Sequence, residues 1–371
     1  KAITTGTRNI AIGMQALDAA DTESDNIAIG YDALGGSIAG GEKNVAIGNY
    51  AGDAITSGDA NVLIGHQTGT GITTGGYNVA IGYQAYDGTN TGSGNVAIGW
   101  WAGGDSANTG GEAVYIGRLA GFGVTSGNHN VLIGMSAGRA ITTNANNTII
   151  GSYAGDAITG ASNVIVGAHA AGNASATTAE RNTIVGNYAA GALTTGDKNI
   201  IVGDFGGKNI TTGSNNVIIG GDIDAPSATG DDQLLIASGD GGVTWITGNS
   251  NGGVSIGDVE QRGITVAATS TANNSYLTLL DLPTADGKAI TASVHITDST
   301  NNEVQTEMIV AHFDGTTVNY TTYGQIFDGA AAIGVLDVDY APVGSRMVLR
   351  FQNTQGTTAT LAGSVHATIH A

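Results

Sequence analysis

The sequence contains no cysteine and only 3 prolines among its 371 residues. Disulfides, thiolate metal sites and a cysteine nucleophile are thereby excluded. Basic residues are scarce: 12 Lys and Arg stand against 31 Asp and Glu, a formal charge of −19. No basic run occurs, so phosphate-tracking contacts to nucleic acid or to an anionic membrane surface are not expected. No apolar stretch approaches the roughly 20 residues of a membrane-spanning helix, so no membrane insertion is expected. Charged residues make up 12% of the chain, too few for a surface of solvated charged helices. What it has in abundance is glycine, 61 residues, against an ordinary usage of about 7%. A hydrophobic fraction of 41% separates it from flexible Gly-rich linkers.

The glycines are periodic. A pentapeptide of Asn, Val or Ile, any residue, Ile or Val, then Gly starts at Asn9, Asn26, Asn44, Asn61, Asn78 and Asn95. It continues from Ala113, Asn130, Asn147, Asn163, Asn182, Asn199 and Asn216. The closing glycines run from Gly13 to Gly220 at intervals of 16 to 19, mostly 17. Each pentapeptide alternates, with residues such as Val45 and Ile47 on one side and Ala46 on the other, which predicts a short strand. Segments such as AITSG at Ala54, GITTG at Gly71 and NITTG at Asn209 predict a second, weaker strand per turn. Glycine suits the corners between them. Proline is absent from residues 1–220, where nearly every N–H is needed by the next turn.

These features predict a parallel β-solenoid of thirteen turns, stacked roughly 4.8 Å apart into a rod of about 60 Å. Asn26, Asn44, Asn61, Asn78, Asn95 and Asn130 are expected to form a structural ladder, each amide bonding to neighbouring turns. Ala113 interrupts it, and Thr148 and Thr183 place hydroxyls at positions that are otherwise apolar. A helical reading fails because glycine costs about 1 kcal/mol per residue in a helix.

The N-V-A-I-G-x-x-A-G unit resembles the head repeat of trimeric autotransporter adhesins and its longer version in bacteriophage tail fibres. The resemblance covers residues 1–220 and implies a left-handed β-roll assembled as a homotrimer. After Gly220 the period fails. Residues 221–262 read as a short β neck, in which TWITGNSNGGVSIG from Thr244 resembles the segment preceding the distal domain of phage tail proteins. Trp245 is expected under the last turn or on the three-fold axis. From residue 263 to 371, eight longer alternating runs between Ile264 and His370 predict a C-terminal antiparallel β-sandwich of jelly-roll type. The expected fold class is thus all-β throughout.

No constellation for chemistry stands out. Asp222 with Asp224 and Asp231 with Asp232 read as solvated loop acids, with Ca²⁺ binding as the alternative. Of the seven histidines only His366 and His370 share an element at a weak ligand spacing, on one strand face about 13 Å apart and too far to share a metal, and no nucleophile elbow or phosphate loop is present. No catalytic residue, metal or cofactor is expected. Aromatics follow the motif glycine at Tyr31, Tyr50, Tyr83, Trp100, Trp101, Tyr153, Tyr188 and Phe205. They read as corner cover, and alternatively as a platform for sugars, with Trp100 and Trp101 foremost. In the terminal domain Tyr276, Tyr320 and Tyr323, with Tyr340, are the candidate receptor contacts.

The expected protein is a non-enzymatic virion fibre, a bacteriophage tail fibre or appendage. Its partners would be two further copies, other virion proteins and a bacterial surface glycan or protein. The alternatives are the head of a bacterial trimeric adhesin at the cell surface and a purely structural capsid or tail decoration fibre. An adhesin head is expected to lead into heptads, which residues 221–371 lack.

Overall fold

The computed structural model describes residues 5–18, 22–36, 40–88, 90–104, 108–172, 177–239, 243–256, 259–271, 276–283, 289–300, 303–313, 318–328, 334–341, 346–354 and 359–370. Among these no residue is helical. The chain forms two compact units, Lys1–Gly242 and Val243–Ala371.

The first unit is a parallel β-solenoid. Its strands are three residues long: β1 (Ile10–Ile12), β2 (Ile27–Ile29), β3 (Val45–Ile47), β4 (Val62–Ile64), β5 (Val79–Ile81), β6 (Val96–Ile98) and β7 (Val114–Ile116). The series continues with β8 (Val131–Ile133), β9 (Thr148–Ile150), β10 (Val164–Val166), β11 (Thr183–Val185), β12 (Ile200–Val202) and β13 (Val217–Ile219). Each pairs in parallel with the next, strand centre on strand centre, as Ala46 on Leu63 and Ile184 on Ile201. From β2 onward the central residue points inward and is fully buried, while flanking residues such as Val45 and Ile47 stay half-exposed; the centre of the terminal β1, Ala11, is exposed. The core is therefore a column of strand centres, Ala28, Ala46, Leu63 and Ala80 through to Ile218, joined by inward corner residues such as Ala51, Ile55 and Ile72. Where the centres shrink to Ala80 and Ala97, the buried rings of Tyr86 and Tyr115 fill the space.

Residues 221–242 belong to this unit. A further strand, β14 (Leu234–Ala237), pairs in parallel with β13, so the neck expected at 221–262 begins with a fourteenth turn. Among the described residues the second strand expected in each turn does not form. The AITSG-type segments are bends, with isolated bridges only at Ile72–Asn90 and Ile158–Thr177 among the described residues. Threonine takes over the linkage there. Thr194 donates to the Thr211 carbonyl from both its N–H, at 2.9 Å, and its hydroxyl, at 3.0 Å. A single contact point per turn does not extend into a ladder.

Glycine also accounts for fewer corners than expected. Left-handed backbone recurs at non-glycine residues just before the motif Asn, as Lys43 (φ 59) and Tyr77 (φ 60). It recurs two residues after the motif glycine, as Tyr50 (φ 60), Trp101 (φ 54) and His169 (φ 54). Such a conformation costs roughly 1–2 kcal/mol per residue, so the stacked hydrogen bonds of neighbouring turns must hold it.

The second unit opens with a hairpin of β15 (Thr244–Gly248) and β16 (Gly253–Ile256). Eight strands come after it, close to the expected runs: β17 (Val259–Thr271), β18 (Tyr276–Pro283), β19 (Ala289–Asp298), β20 (Glu303–Phe313), β21 (Val318–Asp328), β22 (Gly334–Ala341), β23 (Arg346–Asn353) and β24 (Ala359–His370). One antiparallel sheet runs β16–β17–β24–β19–β20–β21, with β24 inserted between β17 and β19. The other runs β18–β23–β22. Ile290, Val294, Ile309 and Val365 of the first sheet share one core with Leu279, Leu336, Leu349 and Phe351 of the second, which makes a sandwich. Trp245, expected under the last turn or on the three-fold axis, is 52% exposed in the single chain.

Candidate functional site

The ladder asparagines are structural in a specific way. Asn44 Oδ1 accepts from the backbone N–H of Asn61 at 2.9 Å, and Asn44 Nδ2 donates to the Gly58 carbonyl at 2.8 Å. The same pattern links Asn26 to Asn44, Asn61 to Asn78 and Asn78 to Asn95. Asn95 Oδ1 still reaches the N–H of Ala113 at 3.1 Å, but Ala113 has no side-chain oxygen to offer Asn130, whose own Nδ2 bonds the Asn144 carbonyl. Gln233 extends the series into the fourteenth turn, with Asn216 Oδ1 accepting its N–H at 2.8 Å and its Nε2 at 3.1 Å.

Two outer features run alongside. The first is the row of outward Val and Ile residues on the strands, including Ile64, Val164, Ile200, Val202 and Ile219, all at least a third exposed. The second is an aromatic column at the corner after the motif glycine. Tyr153, His169, Tyr188 and Phe205 stack nearly parallel, with ring centroids 5.2, 4.6 and 5.0 Å apart. Tyr31, Tyr50, His66 and Tyr83 follow one another at 5.3, 6.1 and 5.5 Å, the first two contacts edge-on and only His66 and Tyr83 stacked. Between them, Trp100 and Trp101 lie 5.4 Å apart, Trp101 contacts Phe122, and the Arg118 guanidinium sits 5.7 Å over Trp100. Along the Tyr153–Phe205 run the ring faces cover one another, which leaves mostly edges for a sugar to meet there. Trp100 is 44% exposed, with Arg118 and Trp101 against it.

In the second unit Tyr320 is 41% exposed and stands opposite Ala311 on β20. Tyr276 pairs with Gln352 and Tyr323 with Met308, while the side chains of both tyrosines lie outside the described set. Met308 and Val310 on β20 are exposed beside His295, which bonds Thr306 at 2.8 Å.

The four loop acids are exposed, and two of them also bond to a neighbouring turn. Asp231 Oδ1 accepts from the Ser214 N–H at 2.7 Å, and Asp222 pairs with Lys208. The described residues hold no group of three or more metal-ligating side chains. A groove at turns six to eight is lined by Ser93, Glu112 and His129, with His129 Nε2 3.0 Å from Glu112 Oε2. Glu112 lies on the turn between the other two, the wrong order for a histidine to relay a proton from Ser93.

Among the described residues Asp53 is the acid with a large perturbation. Burial, with the Asp32 charge beside it, pushes its carboxyl up to about 6. A raised acid is more protonated folded than unfolded, so its contribution to stability falls as pH rises from about 4 to about 6. Asp53→Asn is expected to remove that loss and to stabilise the solenoid at neutral pH by about 1 kcal/mol, after allowance for solvent screening of a half-buried group. Melting curves of both proteins across this pH window check it; parallel pH profiles would count against it.

These arrangements define a β-solenoid repeat protein that also carries an antiparallel β-sandwich. No model of a known protein family matches the sequence, and no curated protein matches it.

Proposed function

We propose that the chain is a structural fibre of a bacteriophage virion, a tail fibre or appendage. In this reading three copies pack side by side through their outward Val and Ile rows. The second unit then meets a receptor on the bacterial surface, a glycan in the first instance. The observation that carries the reading is the apolar row itself. It repeats at nearly every turn, and monomers rarely leave contiguous apolar surface of that length in water. Packing it against two copies would remove a second apolar face from solvent, at roughly 25 cal/mol per Å². The charge of −19 per chain keeps such an assembly from aggregating and from sticking to anionic envelopes. Three weak sites on one stiff support gain affinity by effective concentration.

The solenoid of this chain leads into a sandwich rather than heptads, a feature that favours a fibre over the head of a bacterial adhesin. The Arg118 guanidinium over the Trp100 ring and the Trp101 ring beside it direct attention away from this pair and toward the second unit. Labelled full-length chain is expected to bind particular bacterial strains and to lose binding when their surface polysaccharide is removed. Tyr320→Ala is expected to weaken that binding roughly tenfold or more. Absence of binding to every strain tested would favour a spacer or decoration fibre.

A further inference from the structure

Asparagine holds the solenoid together, and asparagine is also the side chain most prone to spontaneous loss of its amide. In that reaction the backbone nitrogen of the next residue attacks the carboxamide carbon, so the next residue controls the rate. Every ladder Asn is followed by a β-branched residue: Val, Ile or Thr. From Asn26 onward the ladder side chains are buried to within 1% of full burial. The attacking nitrogens are also engaged, as Val45 N and Val62 N donate at 2.8 Å to the Asn61 and Asn78 carbonyls. The ladder is built to resist this chemistry.

One place in the chain is built the opposite way. Asn251–Gly252 is the only Asn–Gly step in the sequence. It lies in the exposed loop between β15 and β16, at the start of the second unit. Gly252 has φ +76, and nothing lies within 4 Å of where a Cβ would stand. No hydrogen bond to the Asn251 carboxamide is present among the described residues, whereas Asn249 Oδ1 ties down the neighbouring N–H groups of Asn251 and Gly253 at 3.0 and 3.1 Å. Only the 3.0 Å bond from Gly252 N–H to the Asn249 carbonyl has to open before attack.

We infer that Asn251 is a spontaneous deamidation site that ages the hairpin while the ladder stays intact. Gly252 N, giving up its proton to solvent base, forms a bond to Asn251 Cγ. The Cγ–Nδ2 bond breaks and ammonia leaves, giving a cyclic imide. Water then opens the ring at either carbonyl, yielding aspartate or isoaspartate. Both products add one negative charge, and isoaspartate inserts an extra atom into the backbone of a short loop. The adjoining pairs Thr247–Ser255 and Gly248–Val254 should loosen, and the loop should become easier to cleave.

The test is to incubate the full-length chain in mildly alkaline buffer at physiological temperature and map its peptides by mass over several weeks. The expected result is a rise of about 1 Da confined to the peptide holding Asn251, with isoaspartate there and protease nicking that grows in step. Gly252→Ala, which leaves Asn251 in place, should slow it roughly tenfold or more by restricting the attacking nitrogen. An unchanged Asn251 peptide, faster loss at any ladder Asn, or an unaffected rate in Gly252→Ala would each overturn the proposal.

Discussion

Gly186→Ala is expected to break the solenoid in two. A Cβ on Gly186 would stand 2.1 Å from the carbonyl oxygen of Gly203 and 2.5 Å from its carbon, and both belong to rigid backbone. The residue also has φ +145, a conformation that L-residues rarely adopt. Neither turn can retreat, because each is tied to the turn before it. Gly186 N–H donates to the Val166 carbonyl at 2.8 Å, and Gly203 N–H donates to the Val185 carbonyl at 2.8 Å. The cost is on the order of 3 kcal/mol or more, at the upper end for a single substitution. In a stack where each turn contacts only its neighbours, the loss falls on one interface. Hydrogen exchange should therefore rise sharply around turns eleven and twelve and little elsewhere. Gly221→Ala is the matched control, since its Cβ would approach nothing closer than the Asp204 carbonyl at 3.5 Å. Equal stability of the two variants would count against close stacking of the motif glycines.

Asn182→Ala should cost nearly as much by a different route. Asn182 Oδ1 accepts from the N–H and Nδ2 of Asn199 at 2.9 and 3.1 Å, and its Nδ2 donates to the Gly196 carbonyl at 3.0 Å. Asn182 and Asn199 are buried. Truncation leaves a buried donor and a buried acceptor without partners, each at roughly 1–3 kcal/mol, so a total of about 2–6 kcal/mol is expected. Denaturant unfolding monitored by circular dichroism measures it. Asn182→Asp keeps the acceptor toward Asn199 but aims a carboxylate at the Gly196 carbonyl, and should be no better at neutral pH. A loss below about 1 kcal/mol for Asn182→Ala would mean that the ladder is ornamental beside the backbone bonds.

How far these features could be read from the sequence depended on whether they repeat in fixed register. The strands, the inward centres and the motif asparagines recur at one spacing, so a period of 17 exposes them. The fourteenth turn escaped because Gln233 stands where Asn is expected and Ala237 where Gly is expected, although QLLIA keeps the spacing and alternation. Left-handed corners at Tyr50, Trp101 and Tyr188 were hidden because glycine is the usual sign of positive φ, and here neighbouring turns impose the conformation on bulky residues. The aromatic column was only half visible. Tyr31 follows its motif glycine directly while Tyr50 comes one residue later, yet the rings meet at 5.3 Å. In the second unit, alternation marked the strands but not their order, because the pairing of β24 with β17 joins residues far apart in the chain, as Val259 with His370. The candidate receptor contacts carried no comparable pattern, since binding side chains need not repeat.

The proposed fibre rests on three chains packing through the outward Val and Ile rows. The most direct measurement is the mass of the full-length chain in solution by light scattering coupled to size exclusion, at low and at high salt. Three times the chain mass of 36.8 kDa is predicted at both salt concentrations, because an apolar interface is not screened. A stable species of one chain mass would contradict it.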